Sequence, residues 1–181
     1  MRDCLLLVDV FNDFAHEDGD ALRASFQSRF ASLRQLVDDT REDGIPVIYA
    51  NDPAGVYDGD WRRVVEAARA GSAGGLVDEI APVSGDRFVV KPRYSAFDST
   101  PLLLVLRDLQ IERIVLAGMS TEGCVAQTAI DAREEGFKVT IVASACATVD
   151  PELERIALAY VERVAGAYVG SPKREPTFLS G

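Results

Sequence analysis

Short, almost continuously apolar runs alternate along this chain with longer segments whose apolar residues recur at three- and four-residue steps. Residues 4–10, 45–50, 87–90, 113–117 and 138–143 read as strands. Leu5-Leu6-Leu7-Val8 and Ile114-Val115-Leu116-Ala117 lack the polar alternation of a half-exposed strand, so both faces of these strands should be covered. Between the runs, Leu22, Phe26, Phe30, Leu33 and Val37 mark one face of a helix that Gly44 stops. Ser99-Thr100-Pro101 opens a helix over 102–109, with proline at the first helical position. A helix over 121–135 ends at Gly136, another over 151–164 opens behind Asp150, and 167–169 supplies a last short strand. Residues 61–70 form one helical piece inside the Gly-, Asp- and Ala-rich stretch 51–75, where a binding loop is expected. This alternation predicts an α/β fold built on an open parallel sheet.

The 181 residues are enough for one domain, taken as 1–181 with 170–181 a loosely docked tail. Twenty-nine acids against 19 Lys and Arg give a net charge of -10, which argues against nucleic acid and anionic membrane as partners. The first apolar run is broken at Asp9, too early for a signal or membrane segment. Three cysteines without C-x-x-C spacing fit neither a disulfide framework nor a zinc-thiolate site. A reducing cytoplasmic location is therefore expected. The single histidine, His16, removes His-rich zinc sites and Ser-His-Asp triads. The His16-Glu17-Asp18 run reads as a solvated loop, since adjacent residues do not share a helix face.

In an open α/β sheet, ligands bind beyond the carboxyl ends of the strands. Asp9, Asn51-Asp52, Lys91 and the turn leading to Cys124 all fall there. Each has a plain alternative: a strand-end carboxylate on loop amides, a solvated lysine, an inert thiol. Cys124 stands apart because it follows Ser120 and Thr121, good N-caps, so it should lie among the free amides of a helix start. That position favours a thiolate, and a nearby ammonium would favour it further. The same turn can direct N–H groups at a developing oxyanion. Cys4 and Cys146 read as packed thiols. No P-loop, G-x-G-x-x-G or G-x-S-x-G motif is present.

Three segments stand in one order: Leu5-Leu6-Leu7-Val8-Asp9-Val10-Phe11-Asn12-Asp13-Phe14, Lys91-Pro92-Arg93-Tyr94-Ser95-Ala96-Phe97, and Leu116-Ala117-Gly118-Met119-Ser120-Thr121-Glu122-Gly123-Cys124-Val125, with Thr128-Ala129 following. Over 5–169 the sequence resembles the isochorismatase-like cysteine hydrolases, which include nicotinamidases and N-carbamoylsarcosine amidohydrolase. The resemblance implies a three-layer α/β/α fold around a six-stranded parallel sheet in the order 3-2-1-4-5-6. It implies catalytic roles for Asp9, Lys91 and Cys124, oxyanion contacts from the amides of Ser120 and Cys124, and a cis Met119–Ser120 peptide bond. It also implies a homo-oligomer, a dimer or larger. Phe11 stands where many members carry glutamine. Nicotinamidases hold a metal with an aspartate and two histidines near the second strand's end. Here Tyr49-Ala50-Asn51-Asp52-Pro53 has no histidine, which resembles the metal-free branch, with no metal and no cofactor.

The function expected is hydrolysis of a C–N bond in a small amide or ureido substrate through a thioester. Asn51, Phe14, Trp61, Tyr94 and Phe97 are the candidate substrate contacts. Two alternatives stay open: vinyl-ether hydrolysis with Asp9 as general acid and Cys124 a bystander, or an inactive member acting as an interaction protein.

Overall fold

In the computed structural model, which describes residues 1–53, 55 and 59–172, six parallel strands form one sheet in the order 3-2-1-4-5-6 with helices around it. The strands are β1 (Asp3–Val8), β2 (Val47–Asn51), β3 (Arg87–Val90), β4 (Arg113–Met119), β5 (Lys138–Ala147) and β6 (Tyr168–Val169). The helices are α1 (Gly19–Glu42), α2 (Trp61–Ala70), α3 (Gly74–Val77), α4 (Leu102–Asp108), α5 (Ala126–Glu134) and α6 (Pro151–Tyr160). Of the tail expected at 170–181, residues 173–181 lie outside the described residues.

β1 is central because beyond Asp3 it has nothing polar to expose. Cys4, Leu6 and Val8 on one face and Leu5 and Leu7 on the other are all buried, so helices cover both faces. Its register places Leu7 beside Tyr49 of β2 and Ala117 of β4. α1 buries Leu22, Phe26, Phe30, Leu33 and Val37, the row read from the sequence, and packs on β4 and β5. It ends where Gly44 turns left-handed.

Three features differ from the sequence reading. β5 runs on to Ala147, because an irregularity between Leu116 and Gly118 lets its end pair again with β4, Cys146 beside Gly118. Residues 121–125 form a π turn before α5, and 161–165 a second after α6, where a plain α-helix was expected. The short α3 had no periodic signal.

Gly118 shows why β4 can lie so close to β1 at the site end. Its φ is +129°, and a Cβ there would stand 2.0 Å from the Val8 carbonyl oxygen. The neighbouring Asp9 itself adopts a left-handed backbone, with φ 52°. Its N–H donates to Ala50 O at 2.9 Å, which turns the side chain off the end of the sheet. The Met119–Ser120 peptide bond is cis.

Among the described residues, no helix is long and apolar enough to cross a membrane.

Candidate active site

Asp9, Lys91 and Cys124 meet beyond the carboxyl ends of β1, β3 and β4. Lys91 Nζ lies 2.7 Å from Asp9 Oδ2 and 3.4 Å from Cys124 Sγ, and it donates to Arg93 O at 2.8 Å. An ammonium has three donors, and all three are used. Lys91 is 2% exposed and Asp9 is also buried, so this is a built ion pair rather than a surface contact. The Lys91 side chain reaches across β2, whose Asn51 carbonyl accepts the Lys91 backbone N–H at 2.9 Å. Ala96 N donates to Thr128 Oγ1 at 3.0 Å and ties the loop after Lys91 to α5. Asp52 N donates to Asp9 Oδ1 at 2.7 Å and fixes the carboxylate from the other side.

The turn that carries Cys124 is held from beneath. Gly123 and Val125 both donate to Ser120 O, at 3.2 and 3.1 Å. Thr121 Oγ1 hydrogen-bonds Glu154 at 2.8 Å and Ala147 O at 3.1 Å. Glu154, buried on α6, takes two bonds from the Arg29 guanidinium at 2.5 and 2.8 Å, and Arg29 also donates to Cys146 O at 2.7 Å. Glu122 accepts from Thr148 Oγ1 and Val149 N at 2.8 and 2.9 Å. Arg29 and Glu154 escaped the sequence reading, although a glutamate on the apolar face of a helix is a signal of a buried partner.

Burial raises the Asp9 carboxyl above the ordinary carboxylate range, while Lys91, Cys124 and the Asp52 amide pull it down in part. Burial, then the Asp9 charge, pushes the Cys124 thiol up to about 12, against the pull of Lys91. Burial alone would lower the Lys91 ammonium, but Asp9 and Cys124 outweigh it and raise it. Burial and Asp9 therefore oppose ionisation of Cys124, and Lys91 favours it. On balance these neighbours work against the thiolate that a capped helix start was expected to stabilise. Ser120 makes no side-chain cap, Cys124 sits in a π turn, and loss of water beside a carboxylate costs the anion more than Lys91 returns.

A cavity of about 570 Å³ opens over the three groups and is lined also by Asp52, Tyr94 and Gln127. Of the five expected substrate contacts, Tyr94 alone lines it, and it is 74% exposed. The others lie elsewhere. Phe14 packs on Phe26 in the core, Trp61 stacks on Phe88, and Phe97 packs against Phe137. Their large apolar area is worth more buried than as a solvated wall. Asn51 is buried, accepts from Phe11 N and donates to Phe11 O, both at 2.9 Å. It borders a second hollow of about 400 Å³ that shares Asp9 and Asp52. Another cavity, of about 620 Å³, surrounds the start of β1 with the Asp3–Arg113 ion pair and buried Cys4, remote from Cys124.

The Asn51 amide is committed to Phe11, and among the described residues no three His, Cys, Asp or Glu side chains gather into a metal-holding group. His16 and its neighbours Glu17 and Asp18 are exposed. Cys4 and Cys146 are fully buried, and burial raises both thiols.

A 3-2-1-4-5-6 parallel sheet with an acid, an ammonium and a thiol converging beyond three of its strands defines a doubly wound α/β protein with a cysteine in its strand-end cavity. Residues 3–171 match the isochorismatase domain model, and the chain belongs to that family of hydrolases. It is 30% identical over 165 residues to the uncharacterized isochorismatase family protein YaaI of Bacillus subtilis, covering 91% of each chain. It is 32% identical to the ureidoacrylate amidohydrolase RutB of Methylobacterium radiotolerans, covering 95% of this chain and 81% of that one. Among solved structures, the nicotinamidase PncA of Bacillus subtilis superposes with a TM-score of 0.76 at 31% identity, over 94% of this chain and 100% of that one. The N-carbamoylsarcosine amidase of Thermoplasma acidophilum gives 0.73 at 31% identity, over 98% and 99%.

Proposed function

We propose that this protein is a metal-independent cysteine amidohydrolase acting on a small amide or ureido substrate. The observation that carries the reading is the buried contact of Lys91 with both Asp9 and Cys124. Cys124 Sγ attacks the substrate carbonyl carbon as its proton passes to Asp9. Amides of Ser120 and Cys124 receive the oxyanion. Asp9 returns the proton to the leaving nitrogen, the C–N bond breaks, and the amine departs, leaving a thioester. Water then attacks the thioester carbonyl, giving its proton through Asp9 to the departing sulfur. Lys91 holds the carboxylate in place and offsets charge on the sulfur. A raised Asp9 carboxyl supports this role, because burial makes the carboxylate a stronger base than a solvated one. Tyr94 and Gln127 form part of the substrate wall. Free Cys4, Cys124 and Cys146 fit work in the reducing cytoplasm.

The test is a panel of primary amides and N-carbamoyl compounds, with product release followed by kinetics and the enzyme by intact-mass spectrometry. Turnover, an acyl adduct on Cys124 under single-turnover conditions, and its loss in Cys124→Ala are expected, with turnover retained after chelation. Amide turnover that survives Cys124→Ala would overturn the thioester route, and turnover of isochorismate by that variant would favour vinyl-ether chemistry instead.

A further inference from the structure

Acids outnumber bases around the cavity over Cys124. Asp9, Asp52, Asp98 and Asp131 against Lys91 and Arg93 leave the described lining with two more negative charges than positive ones. Both cations are engaged. Lys91 uses its three donors on Asp9, Cys124 and Arg93 O, and Arg93 Nε lies 3.5 Å from Asp98 Oδ2 on the exposed rim. A carboxylate entering this cavity meets no uncommitted cation among these residues, whereas an ammonium enters a negative potential.

Asp131 is the acid that no cation answers. Its carboxylate accepts from Gln127 Nε2 at 3.3 Å, and among the described residues it makes no ion pair. It is half-buried on α5, where an uncharged amide offsets only part of the cost of removing a carboxylate from water. Cys124, Gln127 and Asp131 follow at steps of three and four residues along the π turn and α5, so they share one side and all face the cavity. Asp131 thus stands about 10 Å beyond Cys124 along the axis, and its Cα–Cβ bond leans back toward the cysteine.

We propose that the cavity selects amides or ureides that carry a remote ammonium group, with the carbonyl over Cys124 Sγ and the ammonium on Asp131. A spacer of about four methylenes bridges the two positions, the side chains of Cys124 and Asp131 covering the rest of the axial distance. Asp52 adds to the same potential. This selectivity rests on the cysteine amidohydrolase reading and adds to it the charge of the substrate.

Amides of one length separate the charges: 5-aminopentanamide, hexanamide and glutaramate, with N-carbamoylputrescine, pentylurea and N-carbamoyl-4-aminobutanoate as the matching ureides. In whichever series turns over, kcat/KM should be at least about fivefold higher for the cation than for the anion, and added salt should narrow the gap. Asp131→Asn should shrink that ratio, chiefly through KM of the cation. Charged thiol reagents read the same potential without turnover. Cys124, followed by peptide mapping, should favour the trimethylammonioethyl over the sulfonatoethyl methanethiosulfonate by at least about fivefold beyond their ratio on 2-mercaptoethanol, and Asp131→Asn should reduce the preference. A smaller ratio in turnover, or one that Asp131→Asn leaves intact, would overturn the charge selectivity and leave the amidohydrolase reading standing. Failure of every amide and ureide, with the cationic reagent still favoured, would overturn the amidohydrolase reading and keep the preference for a cation.

Discussion

Lys91 Nζ stands 2.7 Å from Oδ2 of the buried Asp9, and the same ammonium touches the Cys124 sulfur. One buried cation thus pulls against burial at both an acid and a thiol.

Lys91→Met leaves the Asp9 carboxylate buried and unpaired. Breaking such a pair costs about 3–5 kcal/mol at neutral pH. The cost should depend on pH with a definite sign. A carboxyl whose folded pKa is raised stabilises the fold below its unfolded pKa and loses that contribution as pH rises through the folded value. Urea unfolding of the variant should therefore show a smaller deficit at mildly acidic pH than at pH 8. A deficit that is equal at both would contradict the assignment.

The Cys124 thiol should resist ionisation, being raised to about 12 by burial and then by Asp9. Alkylation by iodoacetamide should be selective, since Cys4 and Cys146 are fully buried, and should climb steeply only above the ordinary thiol range. Asp9→Asn should shift the profile to lower pH and Lys91→Met to higher pH. Peptide mapping of the labelled protein at a series of pH values reads both shifts.

Alkali should unfold the protein early. Cys4, Cys124, Cys146 and Lys91 all have folded pKa values raised above their ordinary ones. Each contributes stability that is complete below its unfolded pKa and is lost as pH rises through the folded one. With the thiols starting from an ordinary value of 9.0, the melting temperature should fall progressively above about pH 9. A melting temperature that stayed level to pH 11 would count against all four shifts together.

Glu154→Gln weakens the brace under the nucleophile turn, since Arg29 and Thr121 both rely on that carboxylate. A loss of about 1–3 kcal/mol is expected in chemical denaturation, the pair being partly exposed. If amide turnover is found, kcat should fall with KM little changed, because the brace positions Cys124 without touching the substrate cavity.

Gly118→Ala should be far more damaging than its size implies. The new methyl would meet the Val8 carbonyl oxygen at 2.0 Å, on a backbone at φ +129°. A loss of more than about 4 kcal/mol, or failure to fold, is expected. Gly85→Ala is the control: its φ of +103° is also unfavourable, but nothing lies within 4 Å, so it should cost only about 1–3 kcal/mol.

Much of this protein was legible along the chain. Unbroken apolar runs such as Leu5 to Val8 predict strands covered on both faces, and the spacing of Leu22, Phe26, Phe30, Leu33 and Val37 predicts the helix that covers them. Asp9 and Lys91 were legible as polar residues where apolar strands stop, and Cys124 as a thiol in the turn that follows the fourth strand. Other features left no local mark. Phe14, Trp61 and Phe97 have the composition of a substrate wall, yet Phe14 is buried and Trp61 and Phe97 are half-buried against Phe88 and Phe137, because burial depends on which partner surface lies opposite. Asn51 likewise serves the Phe11 backbone.

The sequence by itself determined the strands and longer helices, their order and the residue types at the strand ends, since these follow from period, capping and side-chain chemistry within a few residues. Only the tertiary structure decided the surroundings of Cys124 and the brace from Arg29 through Glu154 to Thr121. Desolvation and Coulomb attraction act through space, over distances that strand order and loop packing set. A thiol that its local turn would favour as an anion is pushed the other way by burial and Asp9, with Lys91 opposing them.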